Sequence, residues 1–305
     1  MKRILVIRID FLGDLVCTTP LLHAIKRRWP EAEVHALVNR YNAAVLEGNP
    51  DVSEVHTYVY SKQLDRNLRP GRVHALLDRL RLIWRLRKRR FDMIVVPNGG
   101  MNKNSIQFAR QLGVADVRWH TAATEFDDRI VEHLERRPMR HEALSGFDLL
   151  PELGKADAEQ LKPNVYPDSR LTVRWDVALG VKRQTRIGLF TSNGSAARRW
   201  PLEHWMALSE VLEGQAETLM FCSPDEFQAR RGASSLPTRW LSTPTTRELI
   251  AAMSSLDLVV STDSAPVHLG AALDIPVVAL FEATPTRAIG ARVISAMDFP
   301  FPVSD

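Results

Sequence analysis

Cysteine is nearly absent: Cys17 and Cys222 are the two in 305 residues. They stand far apart and without metal-ligand spacing, which argues against a disulfide framework or a cysteine-held metal and suits a reducing compartment. Long hydrophobic runs are missing as well. No stretch approaches the roughly 20 apolar residues that a membrane-spanning helix requires, so a soluble or membrane-peripheral chain is expected. The opening Met1–Arg8 has the charge of a signal peptide's first segment, but Arg8 and Asp10 interrupt its apolar run and it reads as a buried strand. Internal repeats and low-complexity tracts are lacking. So are the G-x-G-x-x-G fingerprint of dinucleotide sites and the G-x-x-x-x-G-K-S/T of P-loops, which weakens dehydrogenase and kinase readings.

What is present is an uneven distribution of charge. The formal net charge is +4, modest for this length, yet eight basic residues and one acid, Asp78, lie between Arg72 and Arg90. Leu76, Leu80, Ile83 and Trp84 recur there at helical spacing, so the segment is predicted to be a basic amphipathic helix. One reading is a core-packed helix with a solvated charged face. The other is a surface for anionic lipid or a phosphorylated glycolipid, with Arg79, Trp84, Arg87 and Lys88 as its contacts. Nucleic acid is not expected, because no binding motif accompanies the charge.

Buried-strand patterns alternate with helical ones along the chain, the signature of parallel α/β sheets. At 305 residues two domains are expected. Strands are predicted at 4–9, 34–38, 55–60 and 93–96, with helices at 15–29, 104–112 and 142–153. A polar stretch with Pro163 and Pro167 then suggests an interdomain segment over 161–185 with an edge strand, between domains at 1–160 and 186–305. The second half repeats the alternation: strands at 186–191, 217–222, 256–261 and 277–281, helices at 202–212, 246–253 and 267–273. Open parallel sheets bind ligands beyond the carboxyl ends of their strands, which directs attention to the turns after Ile9, Thr191, Cys222 and Ser261.

Four turns carry chemistry. After the first strand, Asp10-Phe11-Leu12-Gly13-Asp14 enters a helix; Gly13 allows a tight backbone, and the helix dipole favours a carboxylate at Asp14 that can accept a proton. On spacing alone Asp14 reads first as an ordinary helix-capping aspartate, with Asp10 a competing carboxylate. Ser261-Thr262-Asp263-Ser264-Ala265-Pro266-Val267-His268 opens another helix. Pro266 fits its first turn, and the small Ser264 and Ala265 leave N–H groups accessible to an anion, so the turn is a candidate phosphate cradle. His268 either reaches that ligand or satisfies a local polar group. Between Thr191 and Pro201, Ser192 and the pair Arg198-Arg199 occupy a basic loop; either arginine can clamp phosphate or simply flank a helix start. In Cys222-Ser223-Pro224-Asp225-Glu226, Asp225 or Glu226 can bind ribose hydroxyls or cap a helix.

Together these turns resemble glycosyltransferase family 9, the ADP-heptose:lipopolysaccharide heptosyltransferases, from Met1 to about Arg287. Gly13-Asp14 followed by Thr18-Thr19-Pro20 looks like the family's Gly-Asp motif, Arg198-Arg199-Trp200-Pro201 like its basic-Trp-Pro motif, and Asp263-Ser264-Ala265-Pro266-Val267-His268-Leu269 like its Asp-Ser/Thr-Gly-Pro-x-His-Leu motif. The resemblance implies a GT-B architecture: two Rossmann-like βα domains facing each other across a cleft, acceptor on the first and nucleotide sugar on the second. It implies Asp14 as the general base of an inverting transfer of heptose from ADP-heptose to a lipopolysaccharide core-type acceptor. It also implies a donor site at Gly13, Ser192, Arg198, Asp225, Glu226, Asp263, Ser264, Ala265, Pro266 and His268. No cofactor and no catalytic metal are expected. The partners expected are the nucleotide-sugar donor and an anionic glycolipid acceptor, at the cytoplasmic face of the inner membrane.

Departures from the family pattern qualify this expectation. Arg198 replaces a lysine, Ala265 a glycine, and Glu282-Ala283-Thr284-Pro285 stands where Gly-Pro-Thr-Asp is usual, which opens the donor to another nucleotide sugar. The sequence ends at Asp305 before the expected terminal crossing helix, so looser domain closure is expected. A catalytically degenerate binding protein for a nucleotide sugar or glycolipid, and a nucleotide-sugar epimerase, are the alternative classes.

Overall fold

The structure, a computed structural model, describes residues 1–99, 102–120, 141–194, 198–230 and 239–280. The chain divides into two compact units, Met1–Pro163 and Asn164–Asp305. In the first, β1 (Arg3–Arg8), β2 (Glu33–Val38), β3 (Glu54–Thr57), β4 (Met93–Val96) and β5 (Asp116–Trp119) form a wholly parallel sheet in the order β3-β2-β1-β4-β5. The central strands are nearly continuous buried apolar runs, as a sheet covered on both faces requires. Residues Leu5, Ile7, Leu37 and Ile94 share one core with α2 (Arg72–Lys88) and α3 (Lys103–Gln111) through Leu82, Leu86, Ile106 and Phe108.

The first helix, α1 (Leu12–Arg28), is buried along most of its length and contains Pro20. Proline has no N–H to give to the carbonyl four residues back. The Thr19 hydroxyl supplies the missing donor, bonding the Val16 carbonyl at 2.7 Å, so the helix continues past the proline. The helix expected over 142–153 is instead three short 3-10 turns, Glu142–Leu144, Phe147–Leu149 and Pro151–Leu153. Gly146 and Pro151 interrupt any longer run, and Gly146 packs so closely on Leu21 and Pro97 that a Cβ there would fall 2.9 Å from the Pro97 Cβ.

The second unit repeats the plan. β6 (Arg186–Phe190), β7 (Glu217–Phe221), β8 (Arg239–Leu241), β9 (Leu258–Thr262) and β10 (Val277–Leu280) form a parallel sheet in the order β10-β9-β6-β7-β8. Its helices are α4 (Ser169–Leu179), α5 (Leu202–Val211), α6 (Pro224–Arg230), α7 (Thr246–Met253) and α8 (Ala265–Ala272). No edge strand forms over 161–185 among the described residues. That stretch holds α4, capped by the Asp168 side chain on the Arg170 and Leu171 N–H groups and packed on α7. Gly270 lets α8 lie against the sheet, since a Cβ there would meet Val277 Cγ2 at 2.6 Å.

One device recurs in both units. The arginine opening the first strand pairs with a glutamate opening its neighbour, Arg3 with Glu33 and Arg186 with Glu217, each at 2.8 Å. The same arginine's N–H is taken by an aspartate just before the strand on the other side, Asp92 at 2.7 Å and Asp257 at 2.8 Å. Three strands are thereby locked in register at their starts, which leaves their opposite ends to present the loops.

Candidate active site

At the carboxyl end of β1 the chain gathers charge. Arg8, the last residue of the strand, is only 2% exposed. Its Nε lies 2.8 Å from Asp10 Oδ1, and its Nη2 lies 2.6 Å from Glu142 Oε1 and 3.5 Å from Asp14 Oδ1. Its Nη1 donates to the Pro97 carbonyl. Burial works against the charge on Arg8, but Asp10, Glu142 and Asp14 outweigh it and hold the guanidinium above its ordinary value. Burial also pushes the Asp10 carboxyl up to about 7, with Arg8 opposing and Asp14 reinforcing the shift.

The loop is pinned from three sides. Asn39 donates to the carbonyls of Ile9 and Asp10, Asn42 and the Tyr41 hydroxyl donate to the Asp10 carbonyl, and Tyr60 donates to that of Ile9. Asn98, beyond β4, donates to Asp10 Oδ2 at 2.5 Å. Asp14 sits in the first turn of α1, its carboxylate accepting weakly from the Phe11 N–H at 3.4 Å. Its other oxygen faces Arg8, and its side chain is 29% exposed. Gly13 beside it is buried. The sequence flagged Asp10, Gly13 and Asp14 but not Arg8, Asn39, Asn98 or Glu142. Arg8 was visible only as a charge ending an apolar strand, and Glu142 lies too far along the chain for spacing to signal it.

The nearby Cys17 is no nucleophile. Burial, aided by Asp14 and Glu142, pushes its thiol up to about 12.

In the second unit the turns after β6 and β9 are joined by Asn193. Its Nδ2 donates to Thr262 Oγ1 at 3.0 Å and to the Asp263 carbonyl at 2.9 Å. Arg198 Nη1 pairs with Asp263 Oδ2 at 3.1 Å while remaining about half exposed. Arg199 turns the other way and donates to the Asn193 carbonyl at 2.9 Å, so of the two arginines Arg198 is the one beside the α8 turn. Ser264 precedes α8 without bonding its N–H groups, its hydroxyl 3.0 Å from that of Ser261; Ala265 and Pro266 form the first helical positions, and His268 lies half-buried one turn on. The turn therefore combines a helix N-terminus eight residues long with an exposed guanidinium, a suitable arrangement for an oxyanion. Ser192 and Glu226 bond one another, and Ser192 Oγ also accepts from the Ser223 N–H at 2.8 Å. Glu226 thus ties the β6 and β7 loops together, whereas Asp225 is exposed at the start of α6. Glu282 and the chain end at Asp305 lie outside the described residues.

Among the described residues His35, Glu54 and His56 are close enough to suggest a metal. The geometry favours a hydrogen bond instead. His35 Nδ1 and His56 Nε2 are 3.0 Å apart, the rings are within 4° of coplanar and their centroids are 5.3 Å apart, as for an in-line N–H···N bond. The facing nitrogens are occupied with each other, and Glu54 is held by Arg89 at 2.5 Å.

A family model described as Glycosyltransferase family 9 (heptosyltransferase) matches residues 79–298. The chain is 22% identical over 284 residues to lipopolysaccharide heptosyltransferase 3 of Escherichia coli, covering 90% of this chain and 82% of that protein. It is 24% identical over 314 residues to lipopolysaccharide heptosyltransferase 2 of Salmonella typhimurium, covering 96% and 87%. In fold it is similar to the family 9 glycosyl transferase of Veillonella parvula, with a TM-score of 0.77 at 20% identity over 97% of this chain and 86% of that one. It is likewise similar to E. coli heptosyltransferase WaaC with ADP, with a TM-score of 0.71 at 18% identity over 96% and 93%. The two parallel α/β units are those of GT-B glycosyltransferases. The chain belongs to glycosyltransferase family 9, the heptosyltransferase family of lipopolysaccharide biosynthesis.

Proposed function

We propose that this enzyme transfers heptose from ADP-heptose to a lipopolysaccharide core-type acceptor with inversion, Asp14 serving as general base. The carrying observation is the carboxyl end of β1. There Asp14 remains partly open to solvent within a group in which three carboxylates surround one buried guanidinium. Such a group is suited to receiving a proton. The acceptor hydroxyl oxygen forms the new bond to the anomeric carbon, the bond from that carbon to the diphosphate breaks, and the hydroxyl proton passes to Asp14. ADP leaves with the electron pair. Negative charge develops on the departing diphosphate, and on this reading the α8 N-terminus and Arg198 stabilise it, with Arg198 exchanging Asp263 for phosphate. On this reading no divalent ion takes part, and transfer persists in the presence of a chelator.

The name of the E. coli structure with ADP-2-deoxy-2-fluoro heptose supports an ADP-heptose donor by relationship. The test is incubation with ADP-heptose and a heptose-deficient lipopolysaccharide core. ADP release with a matching gain in acceptor mass is the expected result. Release without mass gain would indicate hydrolysis, and neither would favour a binding protein that has lost turnover.

A further inference from the structure

The helix α2 has two apolar faces, and one of them has no partner among the described residues. Ala75, Leu82 and Leu86 are buried toward the sheet. On the other side Val73, Leu76, Leu77, Leu80 and Trp84 are exposed; Leu76, Leu80 and Trp84 keep 59%, 54% and 61% of their surface in solvent. At 3.6 residues per turn these five lie within about 100° of arc, a single stripe along the helix. Exposed apolar residues scattered singly need no explanation, whereas a continuous stripe of this kind marks a contact surface. Leu68, 72% exposed just before the helix, extends the apolar residues beyond its first turn.

The border of the stripe chooses the partner. Arg81, Arg85 and Lys88 are exposed beyond one edge and Arg72 beyond the other. Asp78, the one acid between Arg72 and Arg90, is already neutralised by Arg69 and Arg81. Lys88 Nζ stands 3.6 Å from the centroid of the Trp84 ring, so the aromatic and the ammonium occupy neighbouring depths, as at an interface that is oily on one side and anionic on the other. Two other arginines are tied to the fold. Arg79, on the inward side, donates to the Tyr58 hydroxyl, the Val59 carbonyl and Gln111 Oε1, and the exposed Arg87 donates twice to the Gln111 carbonyl. Of the contacts expected from sequence, Trp84, Arg87 and Lys88 are exposed, with Arg87 held to Gln111, and Arg79 serves the fold. A second copy docking on the same face would bring two basic borders together, which charge repulsion opposes.

We infer that the outward face of α2 lies on an anionic lipid bilayer, with the leucines and Trp84 at the acyl boundary and Arg72, Arg81, Arg85 and Lys88 among the headgroups. The helix lies flat, since no helix among the described residues is long and apolar enough to cross a membrane. The measurement is sedimentation of the full chain with vesicles of phosphatidylglycerol and phosphatidylcholine, against phosphatidylcholine alone. Binding is expected to the anionic vesicles only, weakening as salt rises. Leu80→Asp with Trp84→Asp should lower the partition coefficient by about tenfold or more, and Arg85→Gln with Lys88→Gln by roughly tenfold. All four side chains are exposed, so circular dichroism and thermal melting should match the parent; the charge pair alone decides if the aspartates disturb the helix. Absence of binding to anionic vesicles, equal binding to neutral ones, or binding indifferent to these substitutions would overturn the inference. So would a dimer in sedimentation velocity that the aspartates disperse, because it would assign the face to a second copy. Sugar transfer plays no part in the readout, so its failure would be distinguishable from failure of the proposed activity.

Discussion

Burial, more than the adjacent Arg8, sets the protonation of Asp10. Asp10 is held near 7 by burial against an ordinary value of 3.8, so the native protein retains a proton that the unfolded chain releases. Stability from this residue is complete below about pH 4, declines as pH rises, and is gone above about 7. Asp10→Asn should flatten that part of a plot of unfolding free energy against pH, measured by urea titration; an unchanged slope would show that another group carries the proton. Asp14 makes a different prediction. Asp14→Asn removes the proposed proton acceptor and leaves the residues of the α8 turn unaltered, so turnover should fall by roughly 10²–10⁴-fold while ADP-heptose affinity by calorimetry stays near the parent value. Retained turnover would move the base to Asp10 or Glu142. These roles were only half legible beforehand. Asp10, Gly13 and Asp14 are adjacent in sequence and stand out as a turn, whereas Glu142 reaches Arg8 from 134 positions away, a distance over which no spacing rule operates.

The elements carry two further expectations. The matched arginine locks at the strand starts look alike but differ in burial: Arg186 is 3% exposed in its side chain and Arg3 38%. Glu217→Ala leaves a buried guanidinium without its carboxylate and should cost about 3–5 kcal/mol. Glu33→Ala breaks a solvated pair and should cost far less. Equal losses in thermal unfolding would refute this account of the locks. Between β2 and β3, burial holds His56 down at about 4 against an ordinary 6.5, and burial lowers His35 as well. A depressed histidine stabilises above its unfolded value and ceases to as pH falls through its native one. The histidine contribution to stability should therefore fall between about pH 6.5 and 4, opposing that of Asp10 over the same range, and the melting temperature of His56→Gln should gain on the parent's as pH is lowered through this window. Strand and helix periods exposed most of these elements in the sequence, with Met93–Val96 and Thr246–Met253 at the expected bounds. The exceptions have local causes. α4 leaves Val173 and Val177 in solvent, so its apolar pattern gave no helical face, although Asp168 and Gly180 mark its two ends. The short edge strands β5 and β8 carry arginine and too few residues for a period. The period located α2 but could not distinguish a face turned inward from one turned out, hence the inward placement of Arg79.

At the scale of the whole molecule, the proposed base and the proposed phosphate clamp belong to separate folding units, each with its own sheet and core. Arg198→Ala should weaken ADP-heptose binding by about tenfold, one charge-assisted contact; unchanged donor affinity by calorimetry would assign the clamp elsewhere. The buried guanidinium at the end of β1 has one more consequence. Arg8 pairs in register with Val38 on the neighbouring strand, and its head group fastens Asp10, Asp14 and Glu142. The slowest-exchanging amides of a protein are those released only by global opening. Deuterium uptake along β1 should thus be as slow at the strand's final residue as at its middle, and the carboxylates anchored there inherit the lifetime of the folded sheet.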